Sequence, residues 1–336
     1  MNSGKTDFDV IVVGGGPNGL AAGITLLKEG KSVLLLERNS TIGGGTRTAE
    51  LTLPGYKHDI CSAVHPMVVA SPFFNSVDWA TYGLHFINPP ACAAHPLDNE
   101  KTAFLFNSIT QTASRLSTDE AGYLRLLGGT VKNFESLKKD LLGPLSLPSS
   151  PLPFVAFGVK AMQPATWTAK QFQTQEAKAL FAGMAAHGIQ PLTNWAGSAI
   201  AMVLMAVGHV HGWPIPISGS QSIADAMAAH FRVLGGVIET NFEVNSLEQL
   251  PSSKAVLFDC TPRQLLQIAG HKFSDFYKWQ LNRYRYGMGV FKIDWALDAP
   301  IPWQDEEIKA SFISHIVNKF EYMSWNEEES ARGFDR

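Results

Sequence analysis

The amino-acid sequence predicts an α/β fold, with a Rossmann-like dinucleotide-binding domain and an interleaved second domain of mixed α+β structure. Three observations near the N-terminus lead to this prediction. An apolar, β-branched segment precedes glycines at G-x-G-x-x-G spacing, a helical pattern follows, and a second apolar segment ends in an acidic residue. The length of 336 residues exceeds the usual size of one domain, which leaves room for the second domain.

The first element is the segment Phe8–Val13, whose short apolar run suits a strand buried on both faces. Gly14, Gly16 and Gly19 follow it at the fingerprint spacing. The first glycine allows a tight turn, the second lets the backbone approach a pyrophosphate, and the third lets the helix pack against the strand. Pro17 suits the first helical turn, where its missing N–H costs nothing. This turn predicts a phosphate site at the start of a helix.

A helix and a second strand complete the unit. The helix is predicted over Leu20–Glu29, with Gly30 as its C-terminal stop. Ser32–Leu36 is the second strand, and Glu37 follows at about the 20-residue distance of a ribose-binding acid. A carboxylate there accepts a hydrogen bond from a ribose hydroxyl and repels a 2′-phosphate. The alternative is a glycine turn without a ligand, but the complete context favours a dinucleotide.

A second glycine cluster bears on which dinucleotide binds. After Arg38 the chain continues to Gly43-Gly44-Gly45-Thr46-Arg47-Thr48, a cluster that a nicotinamide domain does not need. This arrangement resembles the large flavoprotein group that holds the amine oxidases, the phytoene desaturases and the Rab GDP-dissociation inhibitors. The resemblance implies that the glycines lie against the pyrophosphate and ribose of FAD.

Segments further along the chain narrow this resemblance. Residues 54–67, 211–247 and 256–270 are similar to the phytoene-desaturase-related FAD oxidoreductases, specifically the phytoene dehydrogenase-like branch, and the similarity extends over roughly residues 7–304. It implies FAD as cofactor and a backbone contact from Val244 to the adenine. The predicted cofactor-binding residues are Gly14, Gly16, Pro17, Asn18, Gly19, Glu37, Arg38, Gly43, Gly44, Gly45, Thr46 and Val244.

The resemblance also implies how the domains alternate along the chain. The expected segments are a first part of the FAD-binding domain (1–79), a mainly helical substrate domain (80–212), a second part of the FAD-binding domain (213–272), a substrate-domain strand region (273–304) and a divergent or truncated acidic tail (305–336). Relatives run on for well over a hundred residues beyond Trp303. We therefore expect recognition of the ADP portion of FAD with weak overall FAD retention.

Several finer features of the sequence carry predictions. Ser117-Thr118-Asp119-Glu120 predicts a capping box for one helix through about Leu142. Strands are predicted over Phe242–Leu247 and Tyr284–Leu297. The apolar, methionine-bearing block of roughly residues 80–212 is either the wall of a lipophilic pocket or ordinary helix packing.

Some polar residues have two interpretations. His58, Asp59 and His65 are either flavin-side polar groups or loop and capping residues, and we favour the second. His209-x-His211 has no third ligand at a recognisable spacing, so no metal site is predicted.

Composition limits the partners and the compartment. A net charge of −3 without a basic run argues against nucleic acid. Cys61, Cys92 and Cys260 are far apart and form no C-x-x-C, which fits a reducing, cytoplasmic setting without a redox disulfide. The N-terminal MNSGKTD lacks a signal-peptide core. The longest apolar run, Ala199–Val207, is shorter than the ~20 residues of a membrane span, so we expect at most peripheral membrane contact.

The function predicted from the resemblance is that of an FAD-dependent oxidoreductase. Such a protein oxidises a small hydrophobic substrate by hydride transfer to the flavin, and the protein supplies binding and orientation. Two alternatives stay open: a non-catalytic flavin- or lipid-binding protein on the same scaffold, and an NAD-dependent Rossmann dehydrogenase. The sequence indicates no catalytic acid or base, and it does not indicate an oligomeric state.

Overall fold

A computed structural model describes residues 6–98, 101–144, 146–287, 289–316 and 320–331. The strands are β1 (Phe8–Val13), β2 (Val33–Leu36), β3 (Thr48–Glu50), β4 (Lys57–Asp59), β5 (Phe86–Ile87), β6 (Ala91–Pro96), β7 (Thr102–Phe106), β8 (Ile215–Pro216), β9 (Val237–Glu239) and β10 (Ser253–Phe258). The helices are α1 (Pro17–Lys28), α2 (Pro66–Ala70), α3 (Ile109–Ser114), α4 (Glu120–Lys132), α5 (Phe134–Leu142), α6 (Pro151–Ala161), α7 (Ala165–Ala169), α8 (Gln175–Ala186), α9 (Gly197–His211), α10 (Gln221–Val233), α11 (Pro262–Ala269), α12 (Asp275–Asn282) and α13 (Phe320–Ala331).

A parallel sheet in the order β10-β1-β2-β9 forms the framework of the molecule. Its two inner strands are apolar because both of their faces are covered. Helices α1 and α10 pack on one face, where the ring of Phe231 fills the space that a side chain at Gly23 would need. Val244 and Ile268 belong to the apolar cluster that covers strand residues on the other face. The predicted α/β fold with a Rossmann-like unit is confirmed.

A second, mainly helical layer surrounds the antiparallel β6–β7 hairpin. Helices α4, α6, α7, α8 and α9 contribute to its core, where Tyr123, Phe181 and Met202 are fully buried. Residues 311–316 run along the free edge of β6. There the Ala94 N–H donates to the Ile313 carbonyl (2.8 Å), and the His315 N–H donates to the Ala94 carbonyl (2.9 Å). The positions of the domain boundaries along the chain stay a prediction.

The helix predicted from Ser117 to Leu142 differs in two ways. It is divided into α4 and α5, and Ser117 does not cap it because its backbone lies in the left-handed region, with φ of 51°. Asp119 takes a different part. Its carboxylate accepts hydrogen bonds from the N–H of Gln173 and the N–H and hydroxyl of Thr174, which anchors the segment before α8.

Two predicted strands are wrong. Phe242–Leu247 makes one ladder-like hydrogen bond, from the Phe242 N–H to the Glu37 carbonyl (2.9 Å), and then leaves the sheet. The described residues of Tyr284–Leu297 include no strand, and side chains there such as Phe291 are exposed. Alternation of apolar residues needs an adjacent strand edge before it becomes a strand. Within the described ranges, no helix is both long enough and apolar enough to cross a membrane.

Candidate functional site

A cavity of about 590 Å³ opens where β1, β2 and β10 end. In open α/β sheets, ligands bind outside the carboxyl ends of parallel strands, which is where this cavity lies. It is lined by nine of the predicted cofactor-binding residues: Gly14, Gly16, Pro17, Asn18, Glu37, Arg38, Gly44, Gly45 and Val244. The other three predicted residues, Gly19, Gly43 and Thr46, support its wall.

The three fingerprint glycines have different structural reasons. Gly14 has φ of +115°, and a side chain there would collide with the Asp259 carbonyl. A side chain at Gly19 would collide with the Gly14 carbonyl, so α1 packs closely on the turn. Gly16 has an ordinary extended backbone, and a Cβ atom there would meet only Asp259 Oδ2, at 3.1 Å. The fold therefore needs Gly14 and Gly19, whereas Gly16 keeps the cavity open.

Glu37 is held as a buried acceptor by its own chain. It is 6% exposed, and its Oε2 accepts a hydrogen bond from the Gly15 N–H (2.8 Å). Its Oε1 accepts from the Asn39 N–H (2.9 Å) and from Asn39 Nδ2 (2.5 Å). A carboxylate has about four acceptor positions, so one is left for a ligand hydroxyl. The carboxylate is thus oriented in advance at the cavity wall.

The start of α1 has donors both occupied and open. Asp259, at the end of β10, accepts a hydrogen bond from the Gly19 N–H through Oδ2 (2.8 Å). Within the described chain, the N–H groups of Gly16 and Asn18 have no hydrogen-bond partner, and both residues line the cavity. Unpaired N–H groups at the positive end of a helix dipole favour an anion.

The second glycine cluster is fastened to the first turn. The Gly43 N–H donates to the Gly15 carbonyl (2.8 Å), and the Thr46 hydroxyl donates to the Gly43 carbonyl (2.8 Å). A Cβ atom at Gly44 would lie 3.2 Å from the Gly16 Cα atom. The two glycine loops therefore touch, and together they extend the cavity beyond the start of α1.

Val244 closes the opposite side of the cavity. Its side chain is 8% exposed and packs with Ile268, so core packing accounts for its identity. Its backbone N–H and carbonyl have no hydrogen-bond partner in the described part of the chain. These free groups are what a backbone contact to an adenine would use, and that contact stays a prediction.

Sequence reasoning did not find Asp259, Asn39 and Cys260, which all lie at this cavity. Desolvation, followed by the charge of Asp259, raises the pKa of the Cys260 thiol above its usual range. One signal was available for Asp259, because it ends a strand next to the strand that leads into the glycine turn.

The polar residues after β3 act as anchors. Asp59 Oδ1 accepts from the Thr48 hydroxyl (2.5 Å) and from the Ser220 N–H (2.7 Å). His65 Nε2 lies 2.7 Å from the Ser220 hydroxyl, and burial lowers the pKa of its imidazole. These bonds join the segment before α2 to the start of α10, in agreement with a loop and capping role.

The histidine pair on α9 is also engaged in local bonds. His209 Nδ1 lies 2.8 Å from the Phe106 carbonyl and Nε2 lies 2.7 Å from the Tyr123 hydroxyl, while burial lowers the pKa of His209 to about 4. His211 Nε2 lies 2.9 Å from Glu135 Oε1. Among the residues that the structure covers, no three metal-ligating side chains are grouped for an ion.

The methionines of the helical layer are core residues. Met184, Met202 and Met205 are at most 1% exposed and belong to one apolar cluster. Packing is sufficient to explain them, and a lipophilic pocket in this layer stays a prediction.

The parallel sheet, the glycine turn and the strand-end acid around one cavity define a dinucleotide-binding, Rossmann-like domain. A family profile described as an NAD(P)-binding Rossmann-like domain matches residues 12–75. Over 41 residues the chain is 51% identical to a soluble pyridine nucleotide transhydrogenase of Vibrio cholerae, which is 12% of this chain and 9% of that protein. Over 86 residues it is 30% identical to a limonene dehydrogenase polypeptide of Castellaniella defragrans, which is 26% of this chain and 15% of that protein.

Solved structures with a similar fold are flavin-type oxidoreductases. An oxidoreductase from Methanosarcina mazei superposes with a TM-score of 0.56 at 16% identity, over 82% of this chain and 64% of that one. A putrescine oxidase redesigned in cofactor binding superposes with a TM-score of 0.53 at 18% identity, over 84% of this chain and 64% of that one. The chain thus spans less than two thirds of either protein, and it has the fold of flavin-dependent oxidoreductases.

Proposed function

We propose that this chain is an FAD-dependent oxidoreductase of the phytoene dehydrogenase-like type, with the adenine half of FAD in the strand-end cavity. One observation carries the proposal. The unpaired N–H groups of Gly16 and Asn18 lie between an oriented acid, Glu37, and a second glycine loop that touches the first. An acid, an anion site and an open backbone surface in this order match a ribose followed by a pyrophosphate.

The residues present fit the adenine half of FAD. Glu37 would accept a hydrogen bond from a ribose hydroxyl, the N–H groups of Gly16 and Asn18 would hold phosphate oxygens, and Val244 would meet the adenine through its backbone. When bound, the flavin supplies hydride acceptance. The chain supplies binding, orientation and exclusion of water.

The proposed substrate is a small hydrophobic molecule. The apolar composition of the helical layer and the partial similarity to a limonene dehydrogenase polypeptide support this class. The described residues around the cavity include no acid–base pair with an evident catalytic arrangement, so substrate positioning is the chemistry assigned to the protein.

An NAD-dependent dehydrogenase is the second candidate, and the description of the matching family profile favours it. The contact between the two glycine loops argues for FAD, because a nicotinamide domain does not need the second loop. A non-catalytic protein on the same scaffold would bind the cofactor without turnover.

A spectroscopic experiment separates these candidates. The chain is incubated with FAD, freed of unbound ligand, and its visible absorbance is recorded before and after anaerobic addition of a hydrophobic alkene or isoprenoid. Retained visible absorbance that bleaches on addition is the expected result. Retained absorbance without bleaching by any such compound favours the non-catalytic protein, and binding of NAD⁺ in place of FAD favours the dehydrogenase.

A further inference from the structure

Helix α6 has apolar side chains on both of its faces. Phe157 and Ala161 point into the helical core and are 6% and 3% exposed. On the other face, Leu152, Val155 and Val159 are 84%, 61% and 66% exposed. A helix that is apolar all round is typical of a protein core or a membrane environment. The outer face of α6 is therefore shaped for a covering that is itself apolar.

This exposed surface continues beyond the helix. Met162, which is 57% exposed, accepts a hydrogen bond through its carbonyl from the Ala196 N–H (2.8 Å). The adjacent Trp195 is 66% exposed, and its ring packs edge-on against that of Trp167, with centroids 5.3 Å apart. We name this surface the α6 face, formed by Leu152, Val155, Val159, Met162, Trp167 and Trp195.

The charges along the segment that contains α6 and α7 have one sign. From residue 141 to residue 175 the sequence has no Asp or Glu, and its only charged residues are Lys160 and Lys170. Lys160 Nζ donates to the carbonyls of Arg125 (2.7 Å) and Leu126 (3.1 Å), and Arg125 and Lys160 line one surface cavity. In the described ranges, neither Arg125 nor Lys170 has an acidic partner.

We propose that the α6 face docks on the surface of a lipid bilayer that contains anionic headgroups. Exposed aliphatic side chains enter the boundary of the acyl chains, tryptophans prefer the headgroup level, and basic side chains lie near phosphates. A second copy of the chain is a poorer occupant, because a two-fold contact would bring positive charges together. The proposal stands independently of the identity of the cofactor.

Vesicle flotation with the full chain tests this proposal. Wild-type protein is mixed with vesicles of phosphatidylcholine alone or with phosphatidylglycerol added, at low and high salt. We expect flotation with the anionic vesicles that weakens at high salt, because screening shortens the reach of the basic residues. The double variant Val155→Ser/Val159→Ser should bind about tenfold more weakly. Val233→Ser is the matched control, since Val233 is 72% exposed on α10, away from the α6 face.

The charge requirement has its own variant. Arg125→Gln/Lys170→Gln should reduce binding to anionic vesicles and leave the weak binding to neutral vesicles unchanged. Because all of the altered side chains except Arg125 and Lys170 are apolar and exposed, circular dichroism and thermal unfolding should show an intact fold for each variant.

Several results would overturn the proposal. These are no flotation of the wild type, equal flotation with neutral and anionic vesicles, or an unchanged affinity of the double serine variant. Self-association in the absence of lipid that the serine pair abolishes would assign the α6 face to a second copy of the chain instead.

Discussion

Glu37 and Asp259 each place a carboxylate on the glycine turn, where they accept hydrogen bonds from the N–H groups of Gly15 and Gly19. Glu37→Ala removes both the ribose acceptor and the anchor of Gly15. The loss of a charged hydrogen-bond partner costs about 1.5–3 kcal/mol, so calorimetric titration should show ADP affinity weakened by that amount. Glu29→Ala, at the exposed end of α1, is the control. Equal ADP affinity in Glu37→Ala and wild type would remove Glu37 from the site.

Asp259 has the opposite expected effect on a phosphorylated ligand. Its Oδ2 lies close to the space in front of Gly16, so its negative charge opposes a phosphate there. Asp259→Asn keeps an oxygen for the Gly19 N–H and removes the charge. We expect ADP to bind more tightly by about 1 kcal/mol or more, and adenosine, which has no phosphate, to bind as before.

Adenosine serves as the internal control for Asp259. If ADP and adenosine affinities change together, Asp259 acts through the shape of the turn and not through its charge. If ADP binds Asp259→Asn more weakly, Asp259 accepts a hydrogen bond from the ligand.

The turn between β1 and α1 separates stability from binding. Gly19→Ala places a Cβ atom against the Gly14 carbonyl, and overpacking of this kind costs typically ~1–3 kcal/mol of unfolding free energy. Gly16→Ala should leave the urea midpoint nearly unchanged and abolish ADP binding, because its Cβ atom points toward the ligand space. Gly128→Ala, in open space on α4, is the control for both measurements. Normal ADP binding by Gly16→Ala would contradict the close approach of a ligand.

The contact between β6 and residues 311–316 should respond to acid. His315 faces His95, His187 and Gly183, and burial, followed by the charges of His187 and His95, lowers the pKa of His315 to about 3. Burial also lowers the pKa of His187. For a histidine with a depressed pKa, the stabilisation is complete above about pH 6.5 and is lost as the pH falls toward the folded-state pKa.

The urea midpoint measured from pH 7.5 down to pH 5 checks this prediction. Each such histidine changes the unfolding free energy by up to about 1.4 kcal/mol per pH unit. His315→Asn should flatten the profile, while His271→Gln, whose imidazole is half-exposed, should not. A wild-type profile that is flat over this range would contradict the burial of these rings.

Local pattern predicted the β1–α1–β2 unit well. The helix predicted over Leu20–Glu29 spans Pro17–Lys28, because glycine spacing and apolar periodicity act over a few residues. The strand predicted over Tyr284–Leu297 is not formed, since alternation identifies a face and not the partner edge. The bond between Asp259 and Gly19 joins residues 240 positions apart, and no local pattern contains it.

At the scale of the whole molecule, two layers have different tasks. The parallel sheet supplies the cavity, the helix dipole and the oriented acid, and its fold class followed from the sequence. The helical layer supplies the apolar core and the α6 face, whose exposure depends on which side of each helix meets the core. Composition indicated apolar helices there, but it did not indicate which faces stay uncovered.

The most direct test of the account is a calorimetric comparison of FAD, ADP and NAD⁺ on the wild-type chain and on Gly16→Val. The account predicts that ADP competes with FAD for one site, that NAD⁺ binds at least about tenfold more weakly than FAD, and that Gly16→Val loses all three ligands while keeping its fold. Binding of FAD that ADP does not displace, or NAD⁺ affinity equal to that of FAD, would contradict it.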